Sequence, residues 1–548
     1  MAGPYVIGID FGTLSARAVL VDARNGKELA AVEHEYASGV IEHRLAGGAR
    51  LKGHSALQDP GDYLTTLEKT VPFLLKRAKV RPEKIGAIGT DFTSCTVLPV
   101  KSDGTPLCFD QRFRKNPHAW VKLWKHHATQ PEADFINRVG TERGEEFIRA
   151  YGGKYSSEWF FSKVLETVRQ APEVYKAADF FIEAGDWIVW QLCGKQTRNV
   201  SAAGFKGMRV HRAGKEWTYP AEDFFAALHP RLRNVIREKV GGTVLQLGAP
   251  AGALTESMAK RLRLKVGIPV AAGNIDAHAG VPACGVTKPG TLVMIMGTST
   301  CHLLMTDRKV EAEGICGVVR DGIVPGFWGY EAGQSGVGDL FAWFTEQACP
   351  GYVCARGKSM HECLARAAAQ LQPGQSGLLA MDWWNGNRSV LVNADLTGMI
   401  LGLTIHTRPH EIYRALIEAT AFGTRKIAEA FQGIAIKKIV ASGGLAQKNP
   451  LLMQIYADVL QRPIHVAAAE QTSAFGAGMW ASVAGGIHRD IHRAAEKMVR
   501  SPGATFRPEK RHRAVYDRLY AQYTKLHDYF GRDSKGPMRE LRRIQHEL

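Results

Sequence analysis

Four short segments of this 548-residue chain combine glycines, hydroxyls and carboxylates at spacings suited to holding a phosphate and moving a proton. The first is Asp10-Phe11-Gly12-Thr13-Leu14-Ser15. Glycine lets a backbone approach a phosphate closely, and successive N–H groups can form an anion nest. Thr13 and Ser15 add hydroxyl donors, and Asp10 can orient Mg²⁺ or its water shell. The second, Gly297-Thr298-Ser299-Thr300, repeats that logic with three hydroxyls in a row. The third is Ser442-Gly443-Gly444-Leu445-Ala446, followed by Asn449-Pro450. Its paired glycines offer a flat opening for an adenine or a ribose, and Asn449 can bond the base or cap the next helix. The fourth, Gly273-Asn274-Ile275-Asp276-Ala277-His278, sets a carboxylate among small residues. That leaves room for an acceptor hydroxyl whose proton Asp276 would take. Taken singly, each segment also reads as ordinary structure: a capped glycine turn, an ST-turn, a strand-to-helix turn and a helix cap.

Turns of this kind need strands to end in them, and the hydrophobic pattern supplies those strands. Residues 6–11 read as a buried strand running into the first turn, 16–21 as a second strand, and Asn25-Gly26 as a hairpin turn. Apolar residues at 64, 67, 71 and 74 predict a helix over 62–78, and 85–90 predicts a short strand that stops at Asp91. Segments 120–123 and 160–168 read as helical. A second series follows, with strands at 268–272, 291–296 and 434–441 and helices at 409–431, 449–460 and 473–483. Strands alternating with helices in two successive halves predict two α/β domains flanking a cleft. We divide the chain into an N-terminal domain over 1–272, a C-terminal domain over 273–495 and a basic helical extension over 496–548.

Two phosphate-loop look-alikes fail on context. Gly351…Gly357-Lys358-Ser359 has one residue too many between its glycines and follows no strand. Gly476-Ala477-Gly478-Met479-Trp480-Ala481 follows a helix N-cap signal, so its glycines are read as close helix packing.

The formal net charge is +17. Part of it is local, because residues 499–548 carry 12 Lys+Arg against 6 Asp+Glu, a net of +6. The basic residues there alternate with Tyr and Leu, which predicts a solvated helical face. No nucleic-acid-binding motif accompanies them. No apolar run approaches the ~18 residues that span a bilayer, and no secretory leader pattern opens the chain, so a cytoplasmic protein without a membrane partner is expected. The nine cysteines form no CxxC pair and are read as reduced, mostly buried thiols.

In their order and spacing, Asp10-Phe11-Gly12-Thr13, Gly273…Asp276, Gly297-Thr298-Ser299 and Ser442-Gly443-Gly444 resemble the FGGY carbohydrate kinases. The resemblance runs from about residue 5 to about residue 490. It implies two actin/hexokinase-like (ribonuclease H-like) ATPase domains. Within the family the chain is most similar to the L-ribulokinases. The strings that carry this are 90–96 (Thr-Asp-Phe-Thr-Ser-Cys-Thr), 119–127, Gly204-Phe205-Lys206, 329–335 and 382–389.

The resemblance implies ATP-dependent phosphorylation of L-ribulose, with Asp276 as general base. Lys206 and Glu331 would bind the sugar near Asp91 and Ser94. Gly12, Thr13, Ser15, Gly297, Thr298, Gly443, Gly444 and Asn449 would hold ATP, and Asp10 would hold Mg²⁺. A homodimer is expected. A kinase for D-ribulose, ribitol or xylulose and a non-catalytic sugar sensor are the alternatives. One departure is visible: Gly207-Met208-Arg209 stands where ribulokinases often carry a small residue, Met and Trp.

Overall fold

The computed structural model describes residues 3–48, 50–211, 217–349, 352, 354, 357–501, 503–533 and 536–547. Gly351 of the phosphate-loop look-alike lies outside them. Two seven-stranded sheets share one pattern. In the first, the spatial order is Pro250–Ala253, Pro269–Ala271, Ile85–Phe92, Tyr5–Phe11, Ser15–Asp22, Lys27–Glu35, and Asn274–Ile275 also pairs with Ile85–Phe92. In the second it is Gly317–Arg320, Trp328–Gln334, Thr300–Thr306, Thr291–Met296, Lys438–Ser442, Ile464–Val466, Thr505–Phe506. Each sheet holds an antiparallel hairpin whose first strand also pairs in parallel with a later strand. In both hairpins the tight turn is a Gly-Thr turn.

Helix Thr472–Ala484 belongs to the second half of the sequence yet packs on the first sheet. It can do so because glycines remove side chains at the crossing. A Cβ on Gly8 would lie 1.8 Å from the Ala474 carbonyl oxygen, and one on Gly476 would lie 1.9 Å from that of Ala279. The glycines of the dinucleotide look-alike are thus helix-packing residues. No shift of a flexible side chain relieves a backbone clash, and overpacking of a core typically costs ~1–3 kcal/mol or more. Gly8→Ala is therefore expected to destabilise by about 3 kcal/mol, read as a lower urea midpoint. An unchanged midpoint would mean that the helix moves freely off the sheet.

Most expected elements form within a few residues of their predicted ends. Residues 120–123 are an exception. They give a short strand, Val121–Lys122, paired with Leu57–Gln58, because buried Glu166 draws the Lys122 ammonium inward and the chain pairs across instead of coiling. The strand at 85 runs on through Asp91 to Phe92, where Phe92 stacks on Phe11 at 5.0 Å. The basic C-terminal helix Arg513–Arg532 is two-faced. Arg511 and Arg513 are exposed, while buried Tyr523 donates to Asp382 at 2.7 Å and Tyr516 to Glu418 at 3.2 Å.

Seven cysteines are free, and six of those are buried. The expectation of nine reduced thiols fails for Cys354 and Cys363. Their Cα atoms lie 5.8 Å apart outside the core, within bridging range, and they are joined as a disulfide. Among the described residues no helix is long and apolar enough to cross a membrane.

Candidate active site

The two Gly-Thr turns face each other across a cleft of about 380 Å³. Each turn is closed by its own backbone. Gly12 N–H donates to the Ser15 carbonyl at 2.9 Å, and Gly297 N–H donates to that of Ser299 at 2.9 Å. The first sheet contributes Asp10, Gly12, Thr13 and Ser15 to the cleft wall; the second contributes Gly297, Thr298 and Glu331. Ser94, Lys206 and Asp276 complete it. Ten of the residues singled out from the sequence therefore share one cavity.

Ser15 is less free than its position suggests, because its hydroxyl donates to Glu33 at 2.6 Å. Asp91 stands behind the wall. Its strand pairs in register with Asp10 on one side and with Asn274 on the other. It is fully buried, with its carboxyl group beside that of Asp10. Burial pushes its pKa well above the usual carboxylate range, and the neighbouring Asp10 and Asp276 charges add to that. Burial raises Asp10 as well, but Asp91 and Arg17 pull it back. Of the two, Asp91 holds its proton more tightly.

Asp276 opens the helix Asp276–Ala283 and is half-buried on the cleft wall. Its Oδ1 accepts from Ala277 N–H at 2.7 Å. Burial, then the Asp10 charge and Glu331, push its pKa up to about 7, against smaller opposing pulls from the Ala277 N–H and from Lys206. A carboxylate poised there can take a proton near neutral pH.

Lys206 and Glu331 form a buried pair, with Nζ donating to Oε1 at 2.6 Å. Burial opposes the ammonium, but Glu331 more than offsets it, and the Lys206 pKa is held above its usual range. The Glu331 carboxyl is held below its own range: burial would raise it, and Lys206 and His278 overcome that. His278 meets the second oxygen of Glu331 at 3.1 Å through Nε2, and its Nδ1 faces Ser201 Oγ at 2.7 Å.

The third turn adjoins this cleft without entering its wall. Gly443 has φ +98°, and a Cβ there would sit 2.3 Å from the Met296 carbonyl oxygen, so only glycine lets the chain turn beside the 297 turn. Gly444 faces open space. Asn449 Oδ1 accepts from Leu452 N–H at 3.1 Å, which makes it the cap of helix Pro450–Leu460.

Trp124, Glu158 and Arg388 also line the cleft, and sequence reading gave them no role; nor did it give one to His278. Trp124, Arg388 and His278 sat inside strings already singled out, but no spacing tied them to the turns.

A divalent ion fits here only in part. Asp10 faces the cleft, and Asp91 lies buried beside it with its proton tightly held. Among the described residues, no three His, Cys, Asp or Glu side chains group as a metal site. An ion at Asp10 would therefore draw most of its coordination from phosphate oxygens and water.

Residues 5–282 match the N-terminal domain of the FGGY family of carbohydrate kinases, and residues 292–485 match its C-terminal domain. The chain belongs to that family and is a carbohydrate kinase of the two-domain actin/hexokinase-like fold. It is 50% identical over 553 residues to the ribulokinase of Geobacillus thermodenitrificans, which spans 99% of this chain and 97% of that one. It is 46% identical over 549 residues to the ribulokinase of Mycolicibacterium smegmatis, spanning 99% and 96%. Coverage of 99% includes the basic helices beyond residue 490, where sequence reading found no resemblance. Among solved structures, xylulose kinase from Rhodospirillum rubrum shares the fold with a TM-score of 0.76 and 21% identity, over 95% of this chain and 98% of that one. Glycerol kinase from Plasmodium falciparum does so with a TM-score of 0.73 and 15% identity, over 95% and 97%.

Proposed function

We propose that this kinase converts L-ribulose to L-ribulose 5-phosphate. The observation that carries the proposal is the half-buried Asp276, with a pKa of about 7, set in one cleft with the Lys206–Glu331 pair and both Gly-Thr turns. The identity to ribulokinases over almost the whole chain supports the choice of sugar.

A sugar is neutral, so directed hydrogen bonds must hold it. In this reading Lys206 donates to a carbonyl or hydroxyl oxygen of the ketose. Glu331, held ionised by Lys206 and His278, accepts from its hydroxyls, and Ser94 contributes from the same cleft. Asp91 acts at one remove, through Asp10 and Asp276. Bound MgATP supplies the phosphoryl group together with a cation that offsets phosphate charge. The Thr13 and Thr298 hydroxyls and the backbone N–H groups of the two turns hold the phosphates from both halves. Ser15 shapes the first turn, with its own hydroxyl tied to Glu33, and Asp10 orients the ion or its water. Gly443 and Gly444 form the floor on which the nucleoside lies, and Asn449 fixes the helix behind it. Asp276 orients the terminal hydroxyl and accepts its proton as the new O–P bond forms.

ADP release measured against a panel of ketopentoses and polyols tests the assignment. Highest kcat/KM on L-ribulose is the expected result; highest kcat/KM on D-ribulose, ribitol or xylulose would replace the sugar. The pH dependence is a second test. Asp276 must be ionised to act, so kcat/KM is expected to rise with pH through about 7 and level off above it. A flat profile between pH 5 and 9 would remove Asp276 as the base. On the family resemblance we also infer a cytoplasmic homodimer, which sedimentation equilibrium would refute by giving a monomer mass.

A further inference from the structure

Arg388 lies on the chain segment between strands Leu379–Met381 and Met399–Leu401, in the second half of the sequence. Its guanidinium crosses to the first half and is held there on two sides. Nε lies 3.1 Å from Glu158 Oε2, and Nη2 donates to Glu158 Oε1 at 3.2 Å. The guanidinium carbon lies 5.1 Å from the centre of the Trp124 ring. Trp124 in turn donates its indole N–H to Thr13 Oγ1 at 3.1 Å. An unbroken chain of contacts therefore runs from Glu158 through Arg388 and Trp124 to the hydroxyl of the first Gly-Thr turn. All four residues line the cleft.

The pair is also out of water, with side-chain exposures of 9% for Arg388 and 6% for Glu158. A pair buried between two halves of a chain stays dry only while those halves are together. Separating them would leave two desolvated partners to be rehydrated apart, whereas an exposed pair would lose little. The stem of Arg388 is given its room by Gly333, where a Cβ would lie 3.1 Å from Arg388 Cδ. The neighbouring Ser389 hydroxyl accepts from Gly333 N–H at 3.2 Å and fixes the arginine's place on that strand.

We propose that Arg388 is a positioning residue that latches the cleft shut: it pairs with Glu158 across the gap and, by stacking on Trp124, fixes the Thr13 hydroxyl within the phosphate-binding turn. The proposal rests on the reading of this cleft as the phosphoryl-transfer site. Arginine is required because its planar group stacks and bonds two oxygens at once, and lysine does neither. A loosened latch admits water, so ATP is hydrolysed without sugar being phosphorylated.

The test is the amount of sugar phosphate formed per ADP released, a ratio that does not depend on how much of a preparation is folded. Arg388→Lys is expected to raise sugar-independent ADP release relative to sugar-phosphate formation by about tenfold and to raise the sugar KM. Trp124→Phe keeps a stacking ring and loses the N–H, so it is expected to raise the KM for ATP several-fold and leave the sugar KM unchanged. If Arg388→Lys does not fold, Gly333→Ala displaces the arginine stem without altering its charge, and the same fall in coupling is expected. Wild-type coupling with wild-type KM values in Arg388→Lys, or in Gly333→Ala where that variant is the one measured, overturns the latch and leaves the kinase assignment standing. A wild-type protein that releases no ADP with any sugar overturns both.

Discussion

Asp276→Asn is expected to lower kcat by about 10²-fold or more while leaving the fold intact. Asparagine has the shape of aspartate, and its side-chain oxygen can still accept from Ala277 N–H, so the start of helix Asp276–Ala283 keeps its geometry. What disappears is a group able to take a proton. Linkage separates this loss from simple damage. The folded pKa of Asp276 is about 7, above the ordinary carboxylate value. A group raised in this way stabilises the fold in its protonated form below the unfolded pKa. That contribution is lost as pH rises from about 4 through 7. At pH 8 the native protein therefore carries an ionised carboxylate that its surroundings disfavour, and Asp276→Asn removes it. The variant is expected to match wild type only below about pH 4 and to gain on it from there upward, by more at pH 8 than at pH 5 in urea melts, with its activity lost at both. Turnover near the wild-type level would end the general-base role. A stability loss that grows with pH would instead show Asp276 to be a structural anion.

Gains in stability from removing a catalytic group fit a site whose parts were readable locally but whose electrostatics were not. The strands ending at Phe11 and Met296 were legible because an apolar run followed by a Gly-Thr turn has few alternatives. The glycines at 476 and 478 were legible because a helix start, not a strand, precedes them. The burial of Asp91 was not legible, for a reason that lies outside its own segment. Residues 85–92 are buried on both faces, so alternation within the strand does not reveal which way a side chain points. Its burial depends on strands 5–11 and 274–275 pairing on either side. The same limit hid Arg388. Its partners Glu158 and Trp124 lie more than 200 residues away in the chain, and only the folded cleft makes them neighbours. Asn449 offered two readings of equal chemistry, and its Oδ1 accepts from the Leu452 N–H three residues on as the cap reading requires.

The Lys206–Glu331 pair illustrates that dependence on distance most fully, since 125 residues separate partners that meet at 2.6 Å. Lys206→Ala is expected to destabilise by about 3 kcal/mol, because removing one member of a buried pair strands the other. His278 would still hold one oxygen of Glu331, but the oxygen now paired with Lys206 would face a void. The sign of the pH effect follows from Glu331. Lys206 depresses its pKa, so in wild type the carboxylate contributes stability above its ordinary value of 4.5, and that contribution is lost as pH falls through the depressed pKa. Without Lys206 the carboxyl takes up a proton at higher pH. The stability deficit of Lys206→Ala is therefore expected to be largest near pH 7 and to shrink in acid. Adding Glu331→Gln to Lys206→Ala removes the stranded charge and is expected to recover part of the loss. It will not recover sugar binding, because hydrogen bonds to charged groups, worth about 1.5–3 kcal/mol each, are then missing from the cradle. The sugar KM is expected to rise by about tenfold or more in both variants. A Lys206→Ala protein with wild-type stability and wild-type sugar KM would place that lysine outside the site and leave Glu331 needing another partner.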